Sequence, residues 1–263
     1  MIFCVDIGNS NIVYGCYDGD KPMFISRAAT DSRRMSDQYA AELHSLFELH
    51  AIEPSCVTDA VMSSVVPSVT EAIVQALRRV LHIEPYVISA ASYNGLEIKI
   101  DNPKELGCDL LATAIGAKEK YKKPCVIVDM GTATKMTVLD KNGAFLGGAI
   151  MPGLRVSTEA LVEKTSLLPG VSYYAPASPI GKNTPDCMMA GSVLGTAAML
   201  DGMYDRICAE LGEKATVVIT GGLAVIAAPQ CKTEMIYDET LLLDGLRHIL
   251  AAQKNKAEEK KEF

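Results

Sequence analysis

Two stretches of the chain share one pattern of apolar and polar positions. In residues 4–20, CVDIGNSNIVYGCYDGD, and in residues 126–143, VIVDMGTATKMTVLDKNG, an apolar run ends in an aspartate, a glycine and small polar residues. Asp6 aligns with Asp129, and in each copy a second apolar run leads to a turn that contains glycine. Each copy is therefore predicted to form two strands joined by a tight turn. The chain is internally duplicated.

The same periodicity predicts further strands and helices in similar order after each copy. Helical spacing predicts helices at about 104–120, 155–165 and 186–211, and a capping box at 68–71 predicts the start of another. A proline-rich stretch, 166–185, separates the last two helices. A loop of that length inside a compact domain is usually functional. Glycines inside the helix at 186–211 suit a close helix–helix contact, which we expect to lie between subunits.

Strands that alternate with helices predict an α/β fold. With 263 residues and 49% hydrophobic content, the chain is long enough for two similar domains. We predict an N-terminal domain at 1–122, a C-terminal domain at 123–252 with a cleft between the two, and a frayed tail at 253–263.

Composition excludes several kinds of partner. The net charge is −7 and no basic stripe is present, so nucleic acid is a poor partner. No uncharged apolar run is long enough for a membrane helix and no basic leader precedes the first strand, so we expect a cytoplasmic protein. The eight cysteines form no C-x-x-C pair, which argues against a disulfide framework or a zinc site.

The two strand-ending aspartates carry the candidate chemistry. A buried carboxylate costs several kcal/mol unless it is paired or binds a cation, and no basic residue stands beside either aspartate in the sequence, although Lys135 lies six positions after Asp129. A polyphosphate brings cations with it, and the small residues after each aspartate let backbone N–H groups approach phosphate oxygens. One such motif alone is better explained as an ordinary turn. Two in register, together with a third glycine turn at 220–222, favour nucleotide binding.

Two other motifs contain residues typical of catalytic or binding sites. The segment GKNT at 181–184 resembles the end of a P-loop, but Pro176 stands where that motif requires glycine and Asn183 where it requires Ser or Thr. Asp109 falls in the first turn of a predicted helix, away from its apolar face. It is therefore either a solvated residue favoured by the helix dipole or a catalytic carboxylate.

Seven motifs in order resemble the type III pantothenate kinases, a family within the acetate and sugar kinase, chaperone ATPase and actin superfamily. They are D-x-G-N-S-N at 6–11, SSVVP at 63–67, DNP followed by G-x-D at 101–109, D-x-G-T-A-T at 129–134, G-G-A-I-x-P-G at 147–153, GKNT at 181–184 and TGG at 220–222. The resemblance implies two ribonuclease H-like (actin-like ATPase) domains. Each would hold a mixed five-stranded sheet flanked by helices.

The resemblance also implies an activity, the ATP-dependent phosphorylation of the primary hydroxyl of pantothenate, which begins coenzyme A synthesis. Asp109 would be the general base. The residues implied to bind ATP are Asp6, Ile7, Gly8, Asn9, Ser10, Asn11, Ile12, Val13, Gly131, Thr132, Thr220, Gly221 and Gly222. Those implied to bind pantothenate are Ile100, Gly107, Cys108, Asp109, Leu110 and Thr184.

The cofactors and partners implied are those of the family. Mg²⁺ would arrive with ATP and be held by Asp6 through water, and Asp129 would bind a monovalent cation, K⁺ or NH₄⁺. The family forms homodimers in which the partner chain contributes to the substrate pocket.

The chain departs from the family pattern at four positions. Leu110 replaces an arginine that would contact the pantothenate carboxylate, and Ile100 replaces a tyrosine. Lys135 and Thr137 replace the usual threonine and aspartate after the second loop. Leucine cannot form a charge-assisted hydrogen bond, worth about 1.5–3 kcal/mol, so either pantothenate binds more weakly or another group, such as Lys135, compensates.

Two other functions compete with the kinase. One is a non-catalytic nucleotide-binding regulator on the same fold, similar to accessory transcription factors, and the other is a filament-forming relative of actin. Asp109, both phosphate loops and the acidic composition argue against the regulator, and the shortness of the chain argues against the filament.

Overall fold

The computed structural model describes residues 1–89 and 95–259, with side chains described as far as residue 256. The chain divides into two compact units. Unit 1 consists of Met1–Leu96, Asp101–Gly116 and Leu241–Phe263, and unit 2 of Glu97–Ile100 and Ala117–Thr240. No helix in the described ranges is both long enough and apolar enough to cross a membrane.

Unit 1 contains a five-stranded mixed sheet. Its strands are β1 (Ile2–Ile7), β2 (Asn11–Asp18), β3 (Lys21–Ala29), β4 (Asp59–Ser64) and β5 (Tyr86–Val87), in the order β3-β2-β1-β4-β5. The central strand β1 is antiparallel to β2 and parallel to β4. Helices α1 (Ser36–Leu49) and α2 (Pro67–Leu81) pack on the sheet and bury an aromatic cluster. Phe3 and Phe47 are its centre, with ring centroids 5.3 Å apart.

Unit 2 repeats this sheet. Its strands are β6 (Cys125–Met130), β7 (Ala133–Leu139), β8 (Phe145–Pro152), β9 (Thr216–Thr220) and β10 (Ile236–Tyr237). The order is β8-β7-β6-β9-β10, so β6 takes the central place that β1 has in unit 1. Its first helices are α4 (Leu154–Lys164) and α5 (Thr184–Met189), and α6 (Gly195–Leu211) and α7 (Ala224–Ala227) follow. The predicted fold class, two duplicated α/β units with mixed five-stranded sheets, is confirmed.

The last helix belongs to unit 1, unlike in the predicted division of the chain. Helix α8 (Leu241–Glu259) packs against α3 (Cys108–Lys120). A Cβ at Gly245 would lie 1.8 Å from the carbonyl oxygen of Ala112, so only glycine allows this approach. Helix α8 also continues through 253–259, where we predicted a frayed tail. Residues 260–263 lie outside the described ranges.

Two predicted helices differ from the structure in where they begin or in their continuity. The predicted helix at 186–211 forms as α5 and α6, joined by one π-helical segment at Ala190–Leu194. The prediction of a capping box at 68–71 is wrong. Helix α2 begins at Pro67 with Val66 as its N-cap, and no side chain caps it. Proline suits the first helical position because it has no N–H group to satisfy.

The buried cysteines belong to the hydrophobic interior. Cys4, Cys16 and Cys125 are fully buried. Burial raises the pKa of the Cys16 thiol to about 11 and that of Cys125 to about 12. These thiols therefore stay protonated and pack as small apolar groups.

Candidate active site

The first predicted phosphate loop lies between the central strand of unit 1 and its antiparallel neighbour. Asp6 and Ile7 end β1, residues 8–10 form the turn, and Asn11 begins β2. The Gly8 N–H group donates to the Asn11 carbonyl oxygen at 2.9 Å, while the side chains of residues 9–11 are exposed. Thr30 secures the turn through a 2.7 Å hydrogen bond from its hydroxyl to the Gly8 carbonyl oxygen. Two hydrogen bonds therefore hold the base of the loop, and its small polar side chains face solvent.

The Asp6 carboxylate is held by the neighbouring parallel strand. Ser63 stands opposite Asp6 in the register of β1 and β4, and its hydroxyl donates to Asp6 Oδ1 at 2.5 Å. Ser63 is fully buried, so this hydrogen bond holds the carboxylate on its buried side. Ser63 is not among the site residues predicted from the sequence. Its place in the SSVVP motif was the signal that could have found it.

The second phosphate loop repeats this arrangement in unit 2. Asp129 occupies the next-to-last position of β6, Gly131 and Thr132 form the turn, and β7 follows. The Gly131 N–H group donates to the carbonyl oxygen of Ala133 at 3.1 Å. A Cβ at Gly153 would lie 2.3 Å from the Thr132 carbonyl oxygen, so the end of β8 packs directly against this loop. Each unit therefore carries one carboxylate at the same sheet position, followed by a glycine turn.

The two carboxylates differ in the residue opposite them on the antiparallel neighbour. Val13 stands opposite Asp6, whereas Lys135 stands opposite Asp129. The Lys135 ammonium lies 2.9 Å from Asp129 Oδ2, and each side chain is 19% exposed. From the sequence, Lys135 is a departure from the family pattern; its contact with Asp129 depends on the pairing of β6 with β7.

This ion pair bears directly on the monovalent cation expected at Asp129. Two unit charges 4 Å apart at an effective dielectric constant of 20 interact by about 4 kcal/mol. A second cation at Asp129 would meet a repulsion of that order from the Lys135 ammonium. The side chains present therefore do not fit a bound K⁺ or NH₄⁺ ion. Within 1–89 and 95–259, no group of three or more His, Cys, Asp or Glu side chains is arranged to hold a metal ion.

Asp109 lies in the first turn of α3, and this turn is near the carboxyl ends of β4 and β5 in unit 1. The Cys108 Sγ is 3.3 Å from the Ile88 carbonyl oxygen, and the Ile88 N–H group donates to the Met62 carbonyl oxygen at 2.9 Å. Met62 directly precedes Ser63, the partner of Asp6. The start of α3 is thereby linked to β4, the strand whose Ser63 donates a hydrogen bond to Asp6.

The glycine before Asp109 leaves room for its carboxylate. Asp109 Oδ1 accepts a hydrogen bond from the Leu110 N–H group at 2.9 Å. A Cβ at Gly107 would lie only 2.6 Å from that same oxygen. Both Asp109 and Leu110 are partly exposed. Leu110 therefore puts an apolar side chain beside the candidate base, where the family pattern has an arginine.

The third glycine turn follows β9 in unit 2. Thr220 ends β9 opposite Asp129, and Gly221 has φ +102° in the left-handed region. A Cβ at Gly221 would lie 2.4 Å from the Met130 carbonyl oxygen, so the turn passes across the end of β6. Gly222 is exposed. This turn therefore adjoins the second phosphate loop.

The remaining predicted acceptor residues lie in unit 2. Ile100 lies two residues after Ile98, which forms an isolated parallel bridge with Phe145 of β8. Thr184 is exposed at the start of α5 and lines an open cavity of about 470 Å³. Other residues around this cavity come from α4, from the π-helical segment and from α6, and they include Ser157, Gly191 and Ser192.

Within unit 1 the first phosphate loop follows the carboxyl end of β1, and the start of α3 is linked through Ile88 to the parallel strand β4. Within unit 2 the fold brings together the second phosphate loop and the turn at 220–222, while Ile100 and Thr184 lie on other elements of that unit.

Comparison with known proteins identifies the family. A sequence profile described as "Type III pantothenate kinase" matches residues 2–206. The chain belongs to the type III pantothenate kinase family. It is 42% identical over 256 residues to the type III pantothenate kinase of Citrifermentans bemidjiense, covering 97% of this chain and 100% of the relative. The one from Geotalea daltonii is 41% identical over 247 residues, with 94% and 96% covered. In Exiguobacterium sibiricum the identity is 40% over 254 residues, with 97% and 100% covered.

Solved structures share the fold at low sequence identity. A Campylobacter jejuni protein assigned to the Baf family of transcriptional activators aligns with TM-score 0.58 at 18% identity, covering 96% of this chain and 99% of that one. Component A of (R)-2-hydroxyglutaryl-CoA dehydratase from Acidaminococcus fermentans aligns with TM-score 0.55 at 14% identity, with 94% and 95% covered. These likenesses support the actin-like fold and say nothing further about activity.

Proposed function

We propose that the chain transfers the γ-phosphoryl group of ATP to the primary hydroxyl of pantothenate, giving 4′-phosphopantothenate. This is the first step of coenzyme A biosynthesis. Relatives about 40% identical over nearly the whole chain are named type III pantothenate kinase. The observation that carries the proposal within the structure is the pair of equivalent loops, each a strand-ending carboxylate followed by a glycine turn.

The two loops bind the phosphates of ATP. The exposed residues 9–11 and the turn at Gly131 and Thr132 offer backbone N–H groups and small polar side chains to phosphate oxygens. Asp6, oriented by Ser63, would hold through water the Mg²⁺ that accompanies ATP, and that ion would offset charge on the transferred group. The turn at 220–222 borders the adenosine.

Asp109 is the general base. It accepts the proton of the attacking hydroxyl while the hydroxyl oxygen bonds to the γ-phosphorus, the bond from that phosphorus to the bridging oxygen breaks, and ADP leaves. Asp109 lies at the start of α3 with Leu110, whose side chain cannot pair with the pantothenate carboxylate. Gly107, Cys108, Ile100 and Thr184 border the acceptor. We therefore expect weaker retention of that carboxylate than an arginine would give.

The active form is a cytoplasmic homodimer whose partner chain contributes to the acceptor pocket. The open cavity beside the π-helical segment supports this arrangement, as does the segment between α4 and α5, where Leu167 and Ile180 are 91% and 77% exposed. Sedimentation of the purified protein should give twice the chain mass of 28.2 kDa. A monomer that is fully active would contradict this part of the proposal.

An ADP-release assay with and without pantothenate tests the activity. A kinase releases ADP only when pantothenate is present, whereas the alternative, a non-catalytic nucleotide-binding regulator, releases none under either condition. Asp109→Asn should lower kcat by about 10²-fold or more while MgATP still binds. Near-normal turnover of that variant would remove Asp109 from the role of base.

A further inference from the structure

The Asp129–Lys135 pair breaks the symmetry of the two units. The carboxylates of Asp6 and Asp129 occupy equivalent sheet positions, yet only the second faces a basic residue across the antiparallel pair of strands. Residues directly opposite in such a pair lie on the same face of the sheet, so the Lys135 stem needs only to fold back to reach Asp129. The ammonium sits 2.9 Å from Asp129 Oδ2, next to the second phosphate loop.

The charges along β7 favour the ion pair between Lys135 and Asp129. Thr137, two positions after Lys135 on β7, is buried and neutral where the family pattern has an aspartate. Both changes make this strand more positive than the pattern from which it departs. With the two side chains of the ion pair each 19% exposed, solvent screens the attraction only in part. A carboxylate neutralised in this way offers little to a second cation.

We propose that the Lys135 ammonium takes the place of the monovalent cation at Asp129, so that nucleotide binding and turnover by this chain do not depend on K⁺ or NH₄⁺. Lys135 then acts as a positioning residue. It neutralises Asp129 and keeps a fixed positive charge beside the phosphate loop at Gly131 and Thr132. The inference rests on the proposed kinase function for turnover, but not for nucleotide binding or stability.

The experiment compares four salts at equal ionic strength: KCl, NH₄Cl, NaCl and choline chloride. Pantothenate phosphorylation, MgATP affinity by calorimetry and the melting temperature are measured in each. The wild type should give the same values in all four. Lys135→Thr should lose about tenfold or more in MgATP affinity in choline, and K⁺ or NH₄⁺ should restore much of that loss and raise its melting temperature. A merely structural lysine would give a variant that no particular cation rescues.

The matched control is Lys164→Thr, because Lys164 is 76% exposed and pairs with Glu163 on the surface of α4. It should behave as the wild type does in every salt. A second variant, Lys135→Arg, keeps the positive charge and should remain independent of K⁺, which covers the case in which Lys135→Thr fails to fold.

Three results would overturn the inference. They are wild-type turnover or MgATP affinity that rises with K⁺, a Lys135→Thr protein that keeps full affinity in choline, and a Lys135→Thr protein that K⁺ does not rescue. Failure of the proposed function is a different result, namely no phosphorylation of pantothenate by the wild type in any salt. In that case MgATP affinity and melting temperature still decide whether Lys135 replaces the cation.

Discussion

Removal of the Ser63 hydroxyl tests how the first phosphate loop holds its carboxylate. Ser63 is fully buried and donates to Asp6 Oδ1 at 2.5 Å. A hydrogen bond to a charged group contributes about 1.5–3 kcal/mol, and Ser63→Ala removes the donor while the carboxylate remains. We therefore expect the free energy of unfolding to fall by about 1.5–3 kcal/mol. At about 2–4 °C per kcal/mol, the melting temperature should fall by about 3–12 °C.

The assay is a double-mutant cycle in urea with Asp6→Ala as the second change. In the Asp6→Ala background the Ser63 hydroxyl has lost this acceptor, so Ser63→Ala should be nearly neutral or stabilising. Ser63→Ala alone should also weaken MgATP binding, because Asp6 is no longer fixed in position. Ser63→Thr keeps the hydroxyl and should recover much of both losses.

Ser64→Ala is the matched control. The Ser64 hydroxyl oxygen accepts hydrogen bonds from the Val66 N–H group at 3.0 Å and from the Thr70 hydroxyl at 2.8 Å, at the start of α2. Its cost should be the same whether residue 6 is Asp or Ala, and MgATP binding should not change. If Ser63→Ala costs as much in the Asp6→Ala background as in the wild type, the hydrogen bond does not hold the carboxylate and the reasoning is refuted.

Three further changes probe the site and its support. Gly107→Ala should lower kcat by up to about 100-fold with little change in stability, because the new Cβ displaces the Asp109 carboxylate, and steady-state kinetics checks this. Gly221→Ala should cost about 1–3 kcal/mol in urea unfolding, because φ is +102° and the Cβ would meet the carbonyl oxygen at the end of β6. Burial raises the pKa of Asp238, but hydrogen bonds, chiefly from Lys120, outweigh it and leave the pKa below its usual 3.8. The loss of stability in Asp238→Asn should therefore be greatest above about pH 3.8, the usual pKa of the carboxyl. It should disappear as the pH falls through the lower pKa that Asp238 has in the folded protein, and unfolding measured at several pH values checks this.

The two glycine changes have controls in the chain. Gly170→Ala and Gly222→Ala place a Cβ in open space and should change stability by little. Normal kcat in Gly107→Ala would mean that Asp109 does not need its present orientation. Equal losses in Gly221→Ala and Gly222→Ala would contradict the strain argument. An Asp238→Asn stability difference that grows toward acid pH would reverse the sign assigned to that carboxylate.

Much of the fold could be predicted from the sequence because its signals are local. Apolar runs followed by Asp and Gly predicted β1, β2, β6 and β7 and their turns, and helical spacing predicted α3 and the helix that includes α6. The candidate base at Asp109 and the two phosphate loops came from motifs a few residues long. The start of α2 was placed wrongly because Pro67 and the capping box at 68–71 both favour a helix start, and the proline prevailed.

What the sequence alone determined about this protein is the duplication, the order of its elements and the residue types at its two loops, since these depend on neighbours within a few positions. Only the tertiary structure decided which distant groups meet. Ser63 lies 57 residues from Asp6 and contacts it through the register of two parallel strands. Helix α8 packs with unit 1 because Gly245 lets it approach α3. Lys135 reaches Asp129 because β7 folds back along β6 in one particular register, and that register is set by packing of the whole sheet.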